Sequence, residues 1–476
     1  MKTSHILCRG YLSPALLAVL AAVAACNNPT GDKPSSASGS AVAPVSTSPQ
    51  LSADDISILF PAPTRAEHFT NLISVRELTT PDPKDPAKRD PIWSDDVFKQ
   101  FLAIAASPAG QVDGTKSRIG LPAATQSIDA WYVAGIRIDA GAPGLYGNIR
   151  KQFGQLPEIR LIVQPVTRGR LGAPKVHDIA GHLIFNFIQE QLDAPAQSGC
   201  LPRPQPDLDT FRKVIADLAT LRDKLRDGQL GVNRINTAGV PLGVHPGLTD
   251  PATAEKFRQE IISFLEKYVS ARRLGSMAIA GLPAGKLEPW IFLAMTFVPP
   301  GAAPALPDGG FVPVHGPTLD GHQFAQLLEP ANKNPRVRPP PQTNNLNPIT
   351  CQNAALSPAS LPAAKRNGVA TAAIFDDNPA TPPEKITSIL DVVADPDKSH
   401  FFNTDCISCH TETRRAIELL KQKDFPDIDP AALPNSTWDV RNFGWSPNLL
   451  GPAHATVTRR TAAETTAVLT YINSHP

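Results

Sequence analysis

The stretch HFFNTDCISCHTETRR, residues 400–415, contains two cysteines separated by two residues and followed at once by a histidine: Cys406, Cys409 and His410. This spacing occurs in three kinds of site, namely covalent haem attachment, zinc binding and redox-active dithiols. The two sulfurs can face a haem edge, a metal ion or each other, so the motif alone leaves all three open. The compartment of the chain and its other possible ligands decide among them.

The N-terminal segment predicts export from the cytoplasm. Lys2 and Arg9 precede an apolar run that is too short for a stable membrane span, which is typical of a signal peptide, here residues 1–25. The run ends in Val-Ala-Ala-Cys26, which resembles the bacterial lipobox; an ordinary secreted protein or a short buried helix would not require the cysteine. Cys26 is therefore predicted to carry a lipid that anchors the protein to a membrane. Asn27 favours an outer membrane lipoprotein that faces the periplasm or the cell surface.

The composition argues against binding to nucleic acid. The 476 residues carry a formal net charge of +1, with no long block of like charge. The 50 prolines are about twice the usual proportion, which predicts long loops between the folded segments. The predicted segments after the signal peptide are a flexible tether at 26–50, a large domain at 51–339, a Pro-rich linker at 340–380 and a second domain at 381–476.

Residues 51–339 are predicted to form an α+β domain of unknown role. Strands are predicted where β-branched and aromatic residues alternate or run together, at 131–139, 158–166 and 289–299. Amphipathic helices are predicted at 206–228 and 250–269.

One segment of this domain, residues 175–188, has two possible interpretations. If it is helical, His177, Asp178 and His182 could converge as a metal or acid/base cluster. Its second half, LIFNFI, is equally typical of a buried strand, on which the histidines would not converge simply.

The cysteine count predicts one disulfide. Cys8 is removed with the signal peptide, Cys26 carries the lipid, and Cys406 and Cys409 belong to the motif, which leaves Cys200 and Cys351. In an oxidising envelope these two are expected to bond to each other. The alternative is two unrelated thiols.

The surroundings of the motif favour haem over zinc or a dithiol. A structural zinc site needs four ligands, and no second cluster of cysteines or histidines supplies the missing ones. A redox dithiol has no need of His410, whereas covalent haem attachment requires a histidine at that position as an iron ligand. The sequence therefore predicts one haem c, bound covalently through Cys406 and Cys409, with His410 as the proximal ligand.

The last ~95 residues resemble a class I c-type cytochrome. Beside the motif, the resemblance includes two amphipathic helices that start at predicted capping boxes, Thr381–Glu384 before the motif and Thr461–Glu464 after it. In that family the first and last helices cross and pack. The resemblance thus implies that residues 381–476 are an all-α cytochrome c-like domain.

The sequence departs from the family in its methionines. A class I cytochrome typically supplies a methionine downstream of the motif as the sixth ligand, but Met1, Met277 and Met295 all lie upstream. His454 is the tentative distal ligand. The alternatives are an open or water-bound iron, His400, His475 or a residue of the large domain.

These features predict an envelope-anchored monohaem c-type cytochrome that carries single electrons to or from an unidentified redox protein partner in the envelope. Two alternatives stay open. One is a haem peroxidase-like enzyme with an open distal site, and the other is a non-catalytic haem-binding envelope lipoprotein.

Overall fold

The computed structural model describes residues 50–82, 84–106, 109–112, 115–141, 156–169, 172–189, 205–284, 290–298, 310–313, 325–326, 382–398, 406–435, 439–447 and 451–474. All of these residues belong to one compact unit, Ser48–Pro476. Several predicted features lie outside the described residues, namely the signal peptide, the lipidation site Cys26, the linker at 340–380 and the disulfide partners Cys200 and Cys351. Within the described part of the chain, no helix combines the length and apolarity needed to cross a membrane.

The centre of the fold is a nine-stranded antiparallel sheet with the main order β1-β6-β7-β9-β10-β11-β12, in which β8 also pairs with β7 and β13 with β11. Two short hairpins, β2-β3 and β4-β5, lie outside it. The strand bounds are Ser57–Leu59 (β1), Thr79–Pro81 (β2), Arg89–Pro91 (β3), Ala109–Val112 (β4), Thr115–Ser117 (β5), Trp131–Asp139 (β6), Glu158–Arg168 (β7), Pro174–Val176 (β8), Ile179–Asn186 (β9), Leu274–Gly281 (β10), Trp290–Val298 (β11), Gly310–Pro313 (β12) and Ala325–Gln326 (β13). The three predicted strands are confirmed as β6, β7 and β11. The segment with two interpretations contains strand β9 and no helix.

One face of the sheet is covered by helices. The helices within residues 51–339 are Ala53–Ile56 (α1), Asp95–Ala105 (α2), Leu208–Arg226 (α3), Pro246–Thr249 (α4) and Ala254–Tyr268 (α5). Phe101 of α2 contacts Trp131 at a ring distance of 5.5 Å, and Phe187 beyond β9 contacts Phe211 of α3 at 5.8 Å. The predicted helices α3 and α5 are confirmed, and α3 begins where the Asp207 side chain accepts a hydrogen bond from the backbone N–H of Thr210.

The opposite face is covered by the C-terminal segment, whose elements are Pro383–Ala394 (α6), Cys406–Leu420 (α7), Phe443–Ser446 (β14), His454–Val457 (β15) and Arg459–Ser474 (α8). Strands β14 and β15 form an antiparallel hairpin. The fully buried Gln164 of β7 donates to the carbonyl of Trp445 at 2.8 Å and accepts from its N–H at 2.6 Å. The hairpin therefore docks edge-on against the central sheet.

The predicted fold class is wrong for residues 381–476, because this segment is not an all-α cytochrome c-like domain. The helical pattern identified α6 and α8 but gave no weight to Phe443 and Trp445, which are 4% and 0% exposed on a strand that packs on the sheet. Helices α6 and α8 are in contact, since Arg460 donates to the carbonyl of Val393 at 3.2 Å. The described fold is α+β throughout.

Candidate functional site

Helix α7 begins at the first cysteine of the motif. Positions 406, 409 and 410 are then related as i, i+3 and i+4, which places them on one face of the helix. Cys409 and His410 are each half-buried. The first turns of the helix thus place position 406 on the same face as Cys409 and His410.

His410 is held by a backbone carbonyl. Its Nδ1 lies 2.8 Å from the carbonyl oxygen of Val440, and since that oxygen can only accept, Nδ1 carries the proton and donates it. Burial lowers the pKa of His410 to about 4, so the ring is neutral near pH 7. The lone pair of Nε2 is therefore available to a metal. A ligating histidine usually donates its other ring N–H in this way, which sets the tautomer and the ring orientation.

The segment that carries this carbonyl is anchored on both sides. Arg441 forms a 2.6 Å ion pair with Asp178 at the start of β9, and the Asp439 side chain accepts from the N–H of Arg441 at 2.9 Å. Thr456 of β15 donates to the other oxygen of Asp439 at 2.9 Å. Burial raises the pKa of Asp178 to about 6, although the positive charge of Arg441 opposes the change. These bonds fix the position of the oxygen that orients His410.

The sheet face in front of His410 is lined by small side chains. The ring of Phe292 on β11 lies 5.0 Å from the His410 ring. In the next cross-strand row on the same face, Ala294 pairs with Ala278 of β10, which pairs with His182 of β9. These three residues are half-buried. Helix α7 and the sheet therefore do not close completely over this row.

Buried charges surround the site. Arg414 and Arg415 of α7 contact Glu418 at 3.3 and 3.5 Å. Glu464 of α8 accepts from Arg137 of β6 at 2.9 Å and from Arg460 at 2.6 Å. Burial opposes ionisation of Arg460, but the negative charge of Glu464 raises its pKa, and the nearby Cys409 acts in the same direction. The second thiol of the motif is therefore close to a guanidinium group.

The tentative distal ligand is engaged elsewhere. His454 lies on β15, half-buried, and its Nε2 donates to the carbonyl of Leu433 at 2.8 Å. The structure brings His410 close to Phe292 and Val440, whereas the hydrogen bond of His454 is to Leu433. Ligation by His454 stays a prediction. The alternative ligands His400 and His475 lie outside the described residues.

The predicted cluster in residues 175–188 does not converge. Nε2 of His177 lies 2.7 Å from the Thr167 hydroxyl, and Asp178 forms an ion pair with Arg441. His182 lies in the middle of strand β9. Among the described residues, no group of three or more His, Cys, Asp or Glu side chains could hold a metal ion by itself. The orienting role of Val440 had no signal in the sequence, because any residue type carries a carbonyl.

The haem interpretation fits the donor set that the structure presents, because a neutral imidazole with a free Nε2 follows a thiol on one helix face and faces an incompletely filled space. The chain was compared with protein-family models, with curated proteins and with solved structures, and none of the three comparisons finds a match. The assignment of a function therefore depends on the chemistry around helix α7.

Proposed function

We propose that this chain binds one haem c covalently through Cys406 and Cys409, with His410 as an axial ligand of the iron, and carries single electrons to or from a redox protein partner in the cell envelope. The observation that carries the proposal is the hydrogen bond from Nδ1 of His410 to the Val440 carbonyl at 2.8 Å, directly after two cysteines in attachment spacing. This bond leaves Nε2 as the coordinating atom.

The residues around the motif have separate roles in holding the group. The two thiols form thioether bonds, and His410 coordinates from the same helix face. Asp439, Arg441 and Asp178 keep the Val440 carbonyl in place, so that the imidazole does not rotate. When bound, haem iron supplies a one-electron ferric/ferrous couple whose potential depends on its axial ligands and on burial.

An electron carrier fits the site better than a catalyst. A peroxidase-like site needs an acid/base side chain beside an open coordination position. Phe292, whose ring lies 5.0 Å from that of His410, and the alanines Ala278 and Ala294 carry no proton-transfer group. The one imidazole of this cross-strand row, His182, would close an open position if it coordinates the iron. The predicted export signal and the lipid at Cys26 support a place in the envelope, where haem is attached to such motifs.

Covalent attachment is tested by producing the full chain in a host with c-type maturation enzymes. The expected result is that haem stays with the polypeptide through acid–acetone extraction and denaturing electrophoresis, because thioether bonds survive unfolding. Titration with redox mediators should then show a single one-electron transition. Cys406→Ser and Cys409→Ser should each reduce the haem yield severalfold.

Ser408→Ala is the matched control for these variants, because Ser408 lies inside the motif but supplies neither a thiol nor an imidazole. It should retain the wild-type haem content. Recovery of colourless wild-type protein, with all the haem in the solvent, would contradict the proposed function.

A further inference from the structure

We propose that His182, on strand β9 of the central sheet, is the sixth ligand of the haem iron. This inference rests on the proposed function, and it assigns the distal position to a residue of the 51–339 segment in place of His454 on β15. The imidazole would arrive from the sheet, opposite the helix that carries Cys409 and His410.

The sheet register directs His182 toward helix α7. Ala280 pairs with Phe292, whose ring contacts His410, and side chains two positions apart on a strand share a face. Ala278 therefore shares the face of Ala280, and its partner His182 lies on the same face. Two strand spacings, roughly 10 Å in total, separate β9 from β11. The side chains of Ala278 and Ala294 therefore lie on the sheet face between His182 on β9 and the part of β11 that contacts His410.

The small side chains in that interval make room for a flat group. Ala278 and Ala294 are half-buried, whereas the neighbouring positions Met277 and Met295 on the opposite face are fully buried. A row of larger residues would close the gap between the sheet and α7. The combination of alanines with a histidine at one end is the arrangement that a planar macrocycle with a distal imidazole requires.

The His182 ring is in the protonation state that a ligand needs. Burial lowers its pKa well below the ordinary value, and the positive charge of Arg160 acts in the same direction. The His182 side chain is half-buried, so its ring is partly accessible and not sealed within the sheet.

The methionines of the sheet do not compete for this position. Met277 and Met295 pair with each other across β10 and β11, and both are 0% exposed. Their neighbours Ala278 and Ala294 face α7, so the methionine side chains point to the other face, which α2, α3 and α5 cover. The sulfur ligand of a His/Met site is therefore out of reach from these strands.

The test uses the haem-loaded full chain and four variants: His182→Ala, His182→Met, His177→Ala and His454→Ala. Wild-type protein should be low-spin in both oxidation states, and its ferrous form should resist carbon monoxide. His182→Ala should become high-spin, bind carbon monoxide at least tenfold faster, and return to low-spin when imidazole is added. His182→Met should stay low-spin with a higher reduction potential, since a methionine ligand raises it.

The controls separate His182 from its neighbours and rivals. His177→Ala removes a histidine of the same segment that bonds Thr167, and His454→Ala removes the other candidate; both should retain the wild-type spectrum. Near-infrared magnetic circular dichroism of wild-type ferric protein should show a bis-imidazole iron, which provides a result even if His182→Ala does not fold.

Three outcomes would overturn the assignment while leaving the proposed function intact. These are a covalently bound haem that is already high-spin in wild-type protein, a His182→Ala variant that stays low-spin, and a loss of the low-spin state in His454→Ala alone. A wild-type chain without covalent haem contradicts the proposed function itself, and the ligand assignment with it.

Discussion

Glu464 illustrates how a side chain takes a role other than the one its local pattern predicts. Thr461 and Glu464 were expected to form a capping box, but α8 begins two residues earlier, at Arg459. The backbone N–H groups of Arg459 and Arg460 donate to the side chains of Thr413 and Glu412 on α7. Because the helix is capped from outside, Glu464 is free to bind arginines. It bonds Arg137 on the sheet and Arg460 on its own helix.

Replacement of Glu464 by Gln should destabilise the protein by about 3–5 kcal/mol near neutral pH, because two buried guanidinium groups lose their carboxylate. Burial alone would raise the pKa of Glu464, but Arg460 and Arg137 outweigh it and lower the pKa from 4.5 to about 2. A lowered pKa contributes stability above the unfolded-state pKa, and this contribution is lost as the pH falls from about 5 toward 2. Denaturant unfolding of both proteins at several pH values measures the difference.

The difference in unfolding free energy between wild type and Glu464→Gln should therefore shrink as the pH falls from about 5 toward 2. Glu67→Gln is the control, since Glu67 faces Arg65 across 4.0 Å with both side chains mostly exposed. It should leave the unfolding midpoint unchanged. An equal gap at pH 2 and pH 7 would contradict the ionic role of Glu464.

At the scale of elements, the hairpin β14–β15 determines how the C-terminal segment meets the sheet. Glycine is required on both sides of the contact. A Cβ on Gly135 of β6 would lie 2.6 Å from the ring of Phe443, and Gly444 has a φ of 139° and would meet Gln164 at 2.7 Å. The indole N–H of Trp445 donates to the carbonyl of Phe60 at 2.9 Å. The hairpin is thus held by backbone groups as well as by apolar burial.

Gln164→Leu should cost at least about 2 kcal/mol of unfolding free energy, because the N–H and the carbonyl of Trp445 both lose their buried partner. Gln126→Leu is the matched control, because Gln126 is exposed and donates a single bond to the Leu121 carbonyl at 2.9 Å. Chemical denaturation followed by tryptophan fluorescence measures both. A Gln164→Leu variant as stable as the control would show that the hairpin docks through apolar contacts alone.

At the scale of the whole molecule, the two segments share their stabilising contacts. Residues near the start of the described chain bond to the last helix: Ser57 to Thr465 at 2.8 Å, and Leu51 to Asn473 at 3.2 Å. Arg441 forms an ion pair with Asp178, and Arg137 forms one with Glu464. At least one side chain of each pair is buried. The C-terminal segment is therefore supported by residues more than 200 positions away in sequence, as in the Arg441–Asp178 pair at a separation of 263.

A fragment of residues 382–476 should consequently fail to fold by itself. It would expose the buried faces of Phe443 and Trp445 and leave Arg441 and Glu464 without their sheet partners. Circular dichroism of the fragment should show no cooperative thermal transition, whereas residues 51–476 should unfold in a single step. A fragment with its own sharp transition would mean that this segment is an independent domain.

Much of the secondary structure was predictable, because it depends on local periodicity. Strands β6, β7 and β11 and helices α3 and α5 follow from runs of apolar residues with the period of a strand or a helix. The hairpin β14–β15 was missed, since its four-residue strands are too short for a pattern to outweigh the neighbouring helices. Its strands depend on pairing with each other and on burial against a distant sheet.

The sequence by itself determined the chemistry that is available, namely two cysteines and a histidine in the Cys-x-x-Cys-His spacing and no methionine after this motif. These are properties of covalent order along the chain. Tertiary structure alone decided which groups meet. The register of β9, β10 and β11 places His182 on the face of Phe292 and turns Met277 and Met295 away, and the Asp178–Arg441 pair positions the Val440 carbonyl for His410. Strand register and long-range burial are cooperative properties of the folded sheet, so no local pattern encodes them.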